Sequence, residues 1–200
     1  MSKLRNVVDK DILINIYYCL VNSHLVYGIE SWGSACATFT NKLVVLQKKA
    51  IRIISGNQYF QLYGEPAGPL PASNPLFCSL HILKFYDLFK FSIAKFVYST
   101  LCGFSPEVFS DWFTYIHDVH HHATRSSSTI VCDNFFDIGV EESTYKLYIC
   151  GTRLVLYDDR LIKVYGSKIW NDIPYYIQDA LSIATFKEKF KNYILSNYNL

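Results

Sequence analysis

Apolar residues recur at helical spacing through most of the chain. They predict a first helix from Asp11 to about Tyr27, with Asp9 or Asp11 as its N-cap and Gly28 as its stop. Residues 29–40 are predicted to form a connection through Ser31-Trp32-Gly33.

A second helix is predicted from about Asn41 to Ser55, and Gly56 ends it. Glycines and prolines then crowd the stretch that follows, which makes 58–74 the predicted linker. Because this linker divides the chain, we expect a helical segment over 1–57 and a second region over 75–200.

The second region also shows mainly helical patterns. A short helix is predicted from Asn74 through Leu80, a longer helix from about Phe85 to Leu101 with Gly103 as terminator, and a short helix after Ser105-Pro106-Glu107 to Phe113. A polar loop follows over 114–129, and a β-hairpin is predicted within 145–165, with its turn at Asp158-Asp159. The last three elements are a short helix after Gly166, another that Pro174 opens, and a helix from Ser182 to about Ser196. The pattern therefore predicts a mostly α fold with one small β-hairpin element.

Composition supports a folded chain without marking it as a strong polyanion binder. Half of the residues are hydrophobic and 18% are charged, so the chain can bury a core and is not disordered by composition. The net charge is only +2, but the first sixty residues carry seven Lys and Arg against three Asp and Glu. This bias makes the N-terminal segment the first place to look for a phosphate-facing surface.

Cysteine spacing and the N-terminal sequence indicate a reducing, intracellular compartment. No Cys-x-x-Cys pair occurs among the six cysteines, so a zinc knuckle is not predicted, and free, buried thiols are expected. No signal-peptide pattern opens the chain. The apolar stretch from Ile12 to Ile29 contains Asn15, Asn22 and His24, which favours a buried helix over a membrane span.

The second predicted helix carries the most informative charge pattern. Its cations fall within an arc of about 120° on a helical projection, and its apolar residues occupy the other side. The cations are Lys42, Lys48, Lys49 and Arg52, and the apolar residues are Leu43, Val44, Ala50, Ile51 and Ile54. Such a face can follow a nucleic-acid backbone without reading bases, although an ordinary solvated face has the same spacing.

Other candidate residues give weaker indications. Lys187 and Lys191, one turn apart on the last predicted helix, form a second basic candidate. Trp32 and Trp170 could stack on bases, but their apolar surroundings favour structural anchors. The histidines at 117 and 120–122 could bind a metal, yet no Cys or carboxylate completes a ligand set, so we expect a polar loop and no metal or cofactor.

Several sequence blocks, in order, resemble the C-terminal third of LINE-type, jockey-like non-LTR retrotransposon reverse transcriptases. The blocks are Ile16-Tyr17-Tyr18-Cys19-Leu20-Val21-Asn22-Ser23-His24-Leu25-Val26-Tyr27-Gly28-Ile29-Glu30-Ser31-Trp32-Gly33, Leu46-Gln47-Lys48-Lys49-Ala50-Ile51-Arg52-Ile53-Ile54, Asn74-Pro75-Leu76-Phe77 with Leu80-His81-Ile82-Leu83, and Tyr165-Gly166-Ser167-Lys168-Ile169-Trp170-Asn171-Asp172-Ile173-Pro174. The resemblance implies that 1–57 is thumb-like, that 75–200 is a post-thumb region, and that the natural partner is an RNA or DNA template–primer in the nucleus.

The resemblance also implies that the polymerase active site is missing. Reverse transcription needs two metal ions held by palm carboxylates, one of them in a Tyr-x-Asp-Asp hairpin. The run Leu156-Tyr157-Asp158-Asp159 is out of register with that motif and follows the thumb-like blocks, so a turn is the better interpretation. We therefore expect a non-enzymatic fragment that contributes template–primer binding. The alternative is a domesticated or degenerate remnant that acts as a protein-interaction module or has no function.

Overall fold

The computed structural model describes residues 4, 7–63, 73–115, 147 and 162–199, and it describes side chains in these ranges except at 57–63 and 199. Nearly every regular element in these residues is helical. The exception is an isolated antiparallel bridge between Tyr115 and Leu147. The predicted mostly α fold is therefore confirmed.

The described helices have the following bounds. They are α1 (Lys10–Ile16), a π-helical segment (Tyr17–Asn22), α2 (Ser23–Val26), α3 (Ile29–Trp32), α4 (Ala37–Tyr63), α5 (Asn74–Ser79), α6 (Phe85–Leu101), a 3₁₀ helix (Glu107–Trp112), α7 (Ile162–Asn171), α8 (Tyr175–Gln178), α9 (Ile183–Ser196) and a final 3₁₀ turn (Asn197–Asn199). None of these described helices has the length and apolar character needed to cross a bilayer.

The chain divides into two compact units. The first consists of Met1–Ser92 together with Lys191–Leu200, and the second of Ile93–Phe190. Their boundaries fall inside α6 and α9, and they differ from the predicted linker at 58–74. The division into a thumb-like 1–57 and a post-thumb 75–200 follows a sequence resemblance, and it stays a prediction.

The core of the first unit forms where α4 packs against α1 and α5, and where α5 packs against the final 3₁₀ turn. Its largest fully buried side chains are Tyr17, Ile29, Ile51, Leu76, Phe77, Ile82 and Phe85. The indole of Trp32 stacks on Phe85 with ring centroids 5.6 Å apart. Gly33 lies beside Phe89, and a Cβ there would stand 2.6 Å from the Ile29 carbonyl oxygen. Only glycine allows this approach.

Two helices end with the same hydrogen-bond arrangement but different residues in the left-handed conformation. After α5, the amide of His81 donates to Cys78 (3.0 Å) and the amide of Ile82 donates to Phe77 (3.0 Å). This pair of bonds is a Schellman motif, and His81 takes a φ of 52° within it. After α6, Gly103 fills the equivalent position with a φ of 73°, which confirms it as the predicted terminator.

An aromatic cluster forms the core of the second unit. Trp170 stacks on Phe186 at 5.9 Å, and Phe186 stacks on Tyr98 at 4.6 Å. The Tyr98 hydroxyl donates to the Ala180 carbonyl over 2.6 Å, so the buried phenol is satisfied. Trp170 is 2% exposed. It is therefore a structural anchor, as predicted.

The side-chain amide of Asn171 at the end of α7 binds the backbone of Leu147 in two directions. The Leu147 amide donates to Asn171 Oδ1 over 2.8 Å, and Asn171 Nδ2 donates to the Leu147 carbonyl over 3.0 Å. This pairing imitates the exchange of hydrogen bonds between two strands. Trp170 and Asn171 belong to the sequence block 165–174. The contacts of both residues within the second unit thus give them a structural role.

Several predicted elements were wrong in extent or type. The expected connection at 29–40 contains α3 and the first turn of α4. The regular geometry of the second helix does end at Gly56, as predicted (φ 50°, ψ −129°), but a further helical stretch continues from there to Tyr63, inside the predicted linker. Residues 162–165, predicted within the β-hairpin, are the first turn of α7. Apart from Leu147, the rest of the predicted hairpin, at 145–146 and 148–161, lies outside the described residues.

The expected buried thiols were also wrong for most of the described cysteines. Cys19, Cys36 and Cys102 are exposed thiols, and Cys78 is a half-buried thiol. The last predicted helix, in contrast, begins as expected. Ser182 caps α9, since its hydroxyl oxygen accepts a hydrogen bond from the Thr185 amide at 3.2 Å.

Candidate nucleic-acid interface

Helix α4 has one buried side and one exposed side. Its most buried residues in the first five turns are Thr40, Gln47, Ala50, Ile51, Ile54 and Ser55. On the other side, Lys42 and Lys49 are exposed, while Lys48 and Arg52 are half-buried at the border of the two sides. The structure therefore places all four predicted cations away from the core of the first unit.

Within the part of the chain that the structure describes, no ion pair joins Lys42, Lys48, Lys49 or Arg52 to an acidic side chain. The Nε atom of Arg52 is buried and has no hydrogen-bond partner there. A buried donor without a partner is unfavourable.

A buried polar network determines how α4 is oriented. The Gln47 side chain is 1% exposed and makes three hydrogen bonds. Its Nε2 donates to the Tyr17 hydroxyl (3.0 Å) and to the Leu83 carbonyl (2.9 Å), and its Oε1 accepts from the Phe85 amide (2.9 Å). Because the amide is saturated in this way, α4 cannot rotate without breaking buried bonds, and the cations stay on the exposed side.

Lys84, which the sequence interpretation did not include, lies close to the cationic side of α4. Burial lowers the pKa of Lys84; the charge of Asp87 raises it and the charge of Lys48 lowers it further. Its ammonium stands 3.8 Å from the ring centroid of Tyr198, a cation–π arrangement. Its proximity to Lys48 depends on the chain fold, and sequence spacing gave no signal for it.

Apolar side chains also project from the exposed side of α4. Phe39 is 68% exposed, Val45 51% and Leu46 58%. They alternate with Lys42 and Lys49 along the helix, so the surface is mixed apolar and basic rather than purely cationic. Single exposed apolar side chains are common on protein surfaces, so only a contiguous patch of them would indicate a surface that contacts another molecule.

The second basic candidate is weaker in the structure. Lys187 is exposed on α9, whereas Lys191 is half-buried and burial lowers its pKa. The two lysines also fall in different compact units. The structure therefore gives no common surface on which to base a site.

Metal binding finds no support in the described residues. No group of three or more His, Cys, Asp or Glu side chains there could hold a metal ion. The histidines at 117 and 120–122, and the pair Asp158-Asp159, lie outside the described residues. Trp32 was the other candidate for base stacking. Its Nε1 donates to the Tyr27 carbonyl over 2.8 Å, and its ring packs on Phe85, so Trp32 has the contacts of a structural anchor.

Comparison with known proteins gives one partial match. The chain is similar to the RNA-directed DNA polymerase from mobile element jockey of Drosophila funebris, with 41% identity over 56 residues. The match covers 28% of this chain and 6% of that polymerase, so the chain spans a small part of its relative. No family model and no solved structure matches the chain. The match supports a relationship to a retrotransposon RNA-directed DNA polymerase over about a quarter of the chain.

Proposed function

We propose that this chain is a non-catalytic, C-terminal thumb and post-thumb part of a non-LTR retrotransposon RNA-directed DNA polymerase, and that it binds the backbone of the template–primer. The observation that carries the proposal is the exposed side of α4, where four cations have no ion pair among the described residues. The partial match to the jockey polymerase supports it independently.

The physical basis is electrostatic. Lys42 and Lys49 are two turns apart on the exposed side, and Lys48 and Arg52 form a second pair, one turn apart, at its border. Lysine and arginine side chains displace condensed counterions when they neutralise phosphates, so binding of this kind weakens steeply with salt and is independent of base sequence.

The test is a charge-removing triple variant, Lys48→Gln with Lys49→Gln and Arg52→Gln, which keeps helix propensity. The slope of log affinity against log salt on duplex DNA should fall by about 0.9 for each lost contact, and by roughly 2.7 in total. Circular dichroism must show that the variant remains folded.

The matched control removes the same net charge from exposed positions elsewhere, through Lys90→Gln, Lys163→Gln and Lys189→Gln. We expect this control to keep the wild-type slope. If both triple variants lose slope equally, general charge attraction explains the binding and α4 has no special part in it.

The absence of catalysis is tested separately. The purified chain, given template–primer, deoxynucleotides and Mg²⁺ or Mn²⁺, should incorporate nothing above background, because its 200 residues contain no Tyr-x-Asp-Asp sequence. Incorporation that disappears in an Asp158→Asn, Asp159→Asn double variant would contradict the proposal.

A protein-interaction module is the second candidate function. The exposed Phe39, Val45 and Leu46 favour it, because large apolar groups on a helix surface suit a protein partner. The salt dependence of nucleic-acid binding distinguishes the two functions. A wild-type chain that binds no duplex DNA, RNA or hybrid in a salt-sensitive manner would exclude the nucleic-acid function and leave the interaction module.

A further inference from the structure

Gln47 brings Lys84 next to the cationic side of α4. Its side chain binds the backbone on both sides of Lys84, at the Leu83 carbonyl (2.9 Å) and at the Phe85 amide (2.9 Å). Lys48 follows Gln47 directly in the sequence. The hydrogen bonds of one buried amide therefore make Lys84 and Lys48 neighbours, although they are distant along the chain.

Tyr198 then holds Lys84 in place. The Tyr198 hydroxyl accepts from the Lys84 amide over 2.9 Å, and the Tyr198 ring lies 3.8 Å, centroid to Nζ, from the Lys84 ammonium. The same hydroxyl donates to Asp87 Oδ2 over 2.6 Å. Because one side of the ammonium rests on a buried ring, its position is restricted before any ligand binds, which lowers the entropy cost of a contact.

Lys84 is subject to charges of both signs. Burial is the main cause that lowers the pKa of Lys84; the charge of Asp87 raises it, and the charge of Lys48, the smallest of the three effects, lowers it. The Asp87 carboxylate also accepts a hydrogen bond from the Tyr198 hydroxyl. Arg52 follows Lys48 by one helical turn, with an unpartnered Nε. An anion bound between Lys48 and Lys84 would reduce the repulsion between the two ammonium groups.

We propose that Lys84 is an additional phosphate contact, and that Lys84, Lys48 and Arg52 together bind the phosphodiester backbone of the nucleic acid that α4 meets, with Tyr198 as a positioning residue. The inference rests on the proposed function of α4. A phosphodiester fits because guanidinium and ammonium donors converge on oxygens that carry a full negative charge. The cationic surface thus extends from α4 onto the turn that precedes α6.

The first experiment measures the salt dependence of duplex DNA binding. Lys84→Gln should lower the salt slope by about 0.9, the value for one lost phosphate contact. Lys84→Arg keeps the charge and should restore the wild-type slope. Lys90→Gln is the matched control, because Lys90 is exposed on α6, the helix that begins directly after Lys84, and it should leave the slope unchanged.

The second experiment uses the wild-type chain, so it does not depend on a variant that folds. Lysines are acetylated with and without saturating duplex DNA, and each site is followed by mass spectrometry. Lys84 and Lys48 should lose reactivity on binding, whereas Lys90 and Lys163 should not.

The outcomes separate the two proposals. The inference about Lys84 is wrong if Lys84→Gln has the same salt slope as Lys90→Gln and if Lys84 is acetylated equally with and without DNA. The proposed function still stands in that case, provided that the α4 triple variant has a reduced salt slope. If the wild-type chain shows no salt-sensitive binding, both are overturned.

Discussion

The side-chain amide of Gln47 donates to the hydroxyl of Tyr17 over 3.0 Å in the core of the first unit. Both residues are almost fully buried, at 1% and 0% exposure. A polar pair at this depth persists only when its hydrogen bonds are satisfied, and Gln47 satisfies its own with two further backbone groups. The pair therefore joins the π-helical segment, α4 and the start of α6.

Loss of the Gln47 amide should destabilise the fold strongly. Gln47→Leu leaves the Phe85 amide and the Leu83 carbonyl buried without partners, at about 1–3 kcal/mol for each group. We expect the free energy of unfolding, measured by urea denaturation, to fall by roughly 3–5 kcal/mol in total. Tyr17→Phe should cost less in the Gln47→Leu background than in the wild type, since the shared bond is already absent. Equal costs in both backgrounds would show that the two side chains are not coupled.

The Tyr17 phenol should make stability depend on alkaline pH. Burial raises the pKa of Tyr17 from its ordinary value of 10.0 to about 12, although the hydrogen bond from Gln47 lowers it in part. The protonated form is thus favoured by the folded state. Its contribution is fully present below pH 10.0 and is lost as pH rises towards about 12. The loss amounts to up to about 3 kcal/mol.

The measurement compares urea midpoints of the wild type and Tyr17→Phe as pH rises from about 8 to about 11. The wild type should lose more stability than the variant, because phenylalanine has no proton to release. Parallel curves for the two proteins would contradict the assigned pKa.

The two Schellman motifs offer a matched pair of substitutions. His81→Gly should stabilise the fold by about 0.5–1 kcal/mol, because His81 is strained at positive φ and its side chain is exposed. Gly103→Ala should destabilise it by about 1–2 kcal/mol. A Cβ at Gly103 meets nothing within 4 Å, so this cost is purely conformational. Thermal unfolding of both variants tests the pair, and a destabilised His81→Gly would show that the imidazole makes a favourable contact.

Trp170→Ala should cost about 3–5 kcal/mol, the range for truncation of a buried Trp. The Trp170 ring fills the core of the second unit against Phe186 and Tyr98. Tyr175→Ala, at a half-exposed aromatic on α8, is the control and should change stability by no more than about 0.5 kcal/mol. A Trp170 variant with unchanged melting and weaker nucleic-acid binding would make Trp170 a stacking residue.

Periodicity predicted the helices whose ends carry a recognisable signal. The bounds of α6 agree with the prediction, because regular apolar spacing is followed by Gly103 at the required left-handed position. The start of α9 was also predictable, since Ser182 is a good N-cap. The first turn of α7 was not. The buried side of α7 includes Gly166 and Ser167, so small residues there concealed the helical period and left a β-like pattern.

The candidate site was predictable only in part. The four cations of α4 share one helix, so spacing alone placed them together. Gln47 was missed because a glutamine is usually exposed, although its spacing from Ile51 and Ile54 matches the buried side. Lys84 could not be found in this way. Its place beside Lys48 depends on hydrogen bonds between residues far apart in sequence.

The bond between Tyr198 and Lys84 has a consequence for synthesis of the protein. The two residues are 114 positions apart, and the first unit includes both ends of the chain. The ribosome makes the N-terminus first. The first unit therefore cannot be completed until its C-terminal segment has been made, and that segment follows the whole of the second unit. Any nascent chain that stops before Tyr198 leaves the Lys84 amide and Asp87 without their hydroxyl partner. Translation as far as Tyr198 is thus a condition for these hydrogen bonds of the first unit.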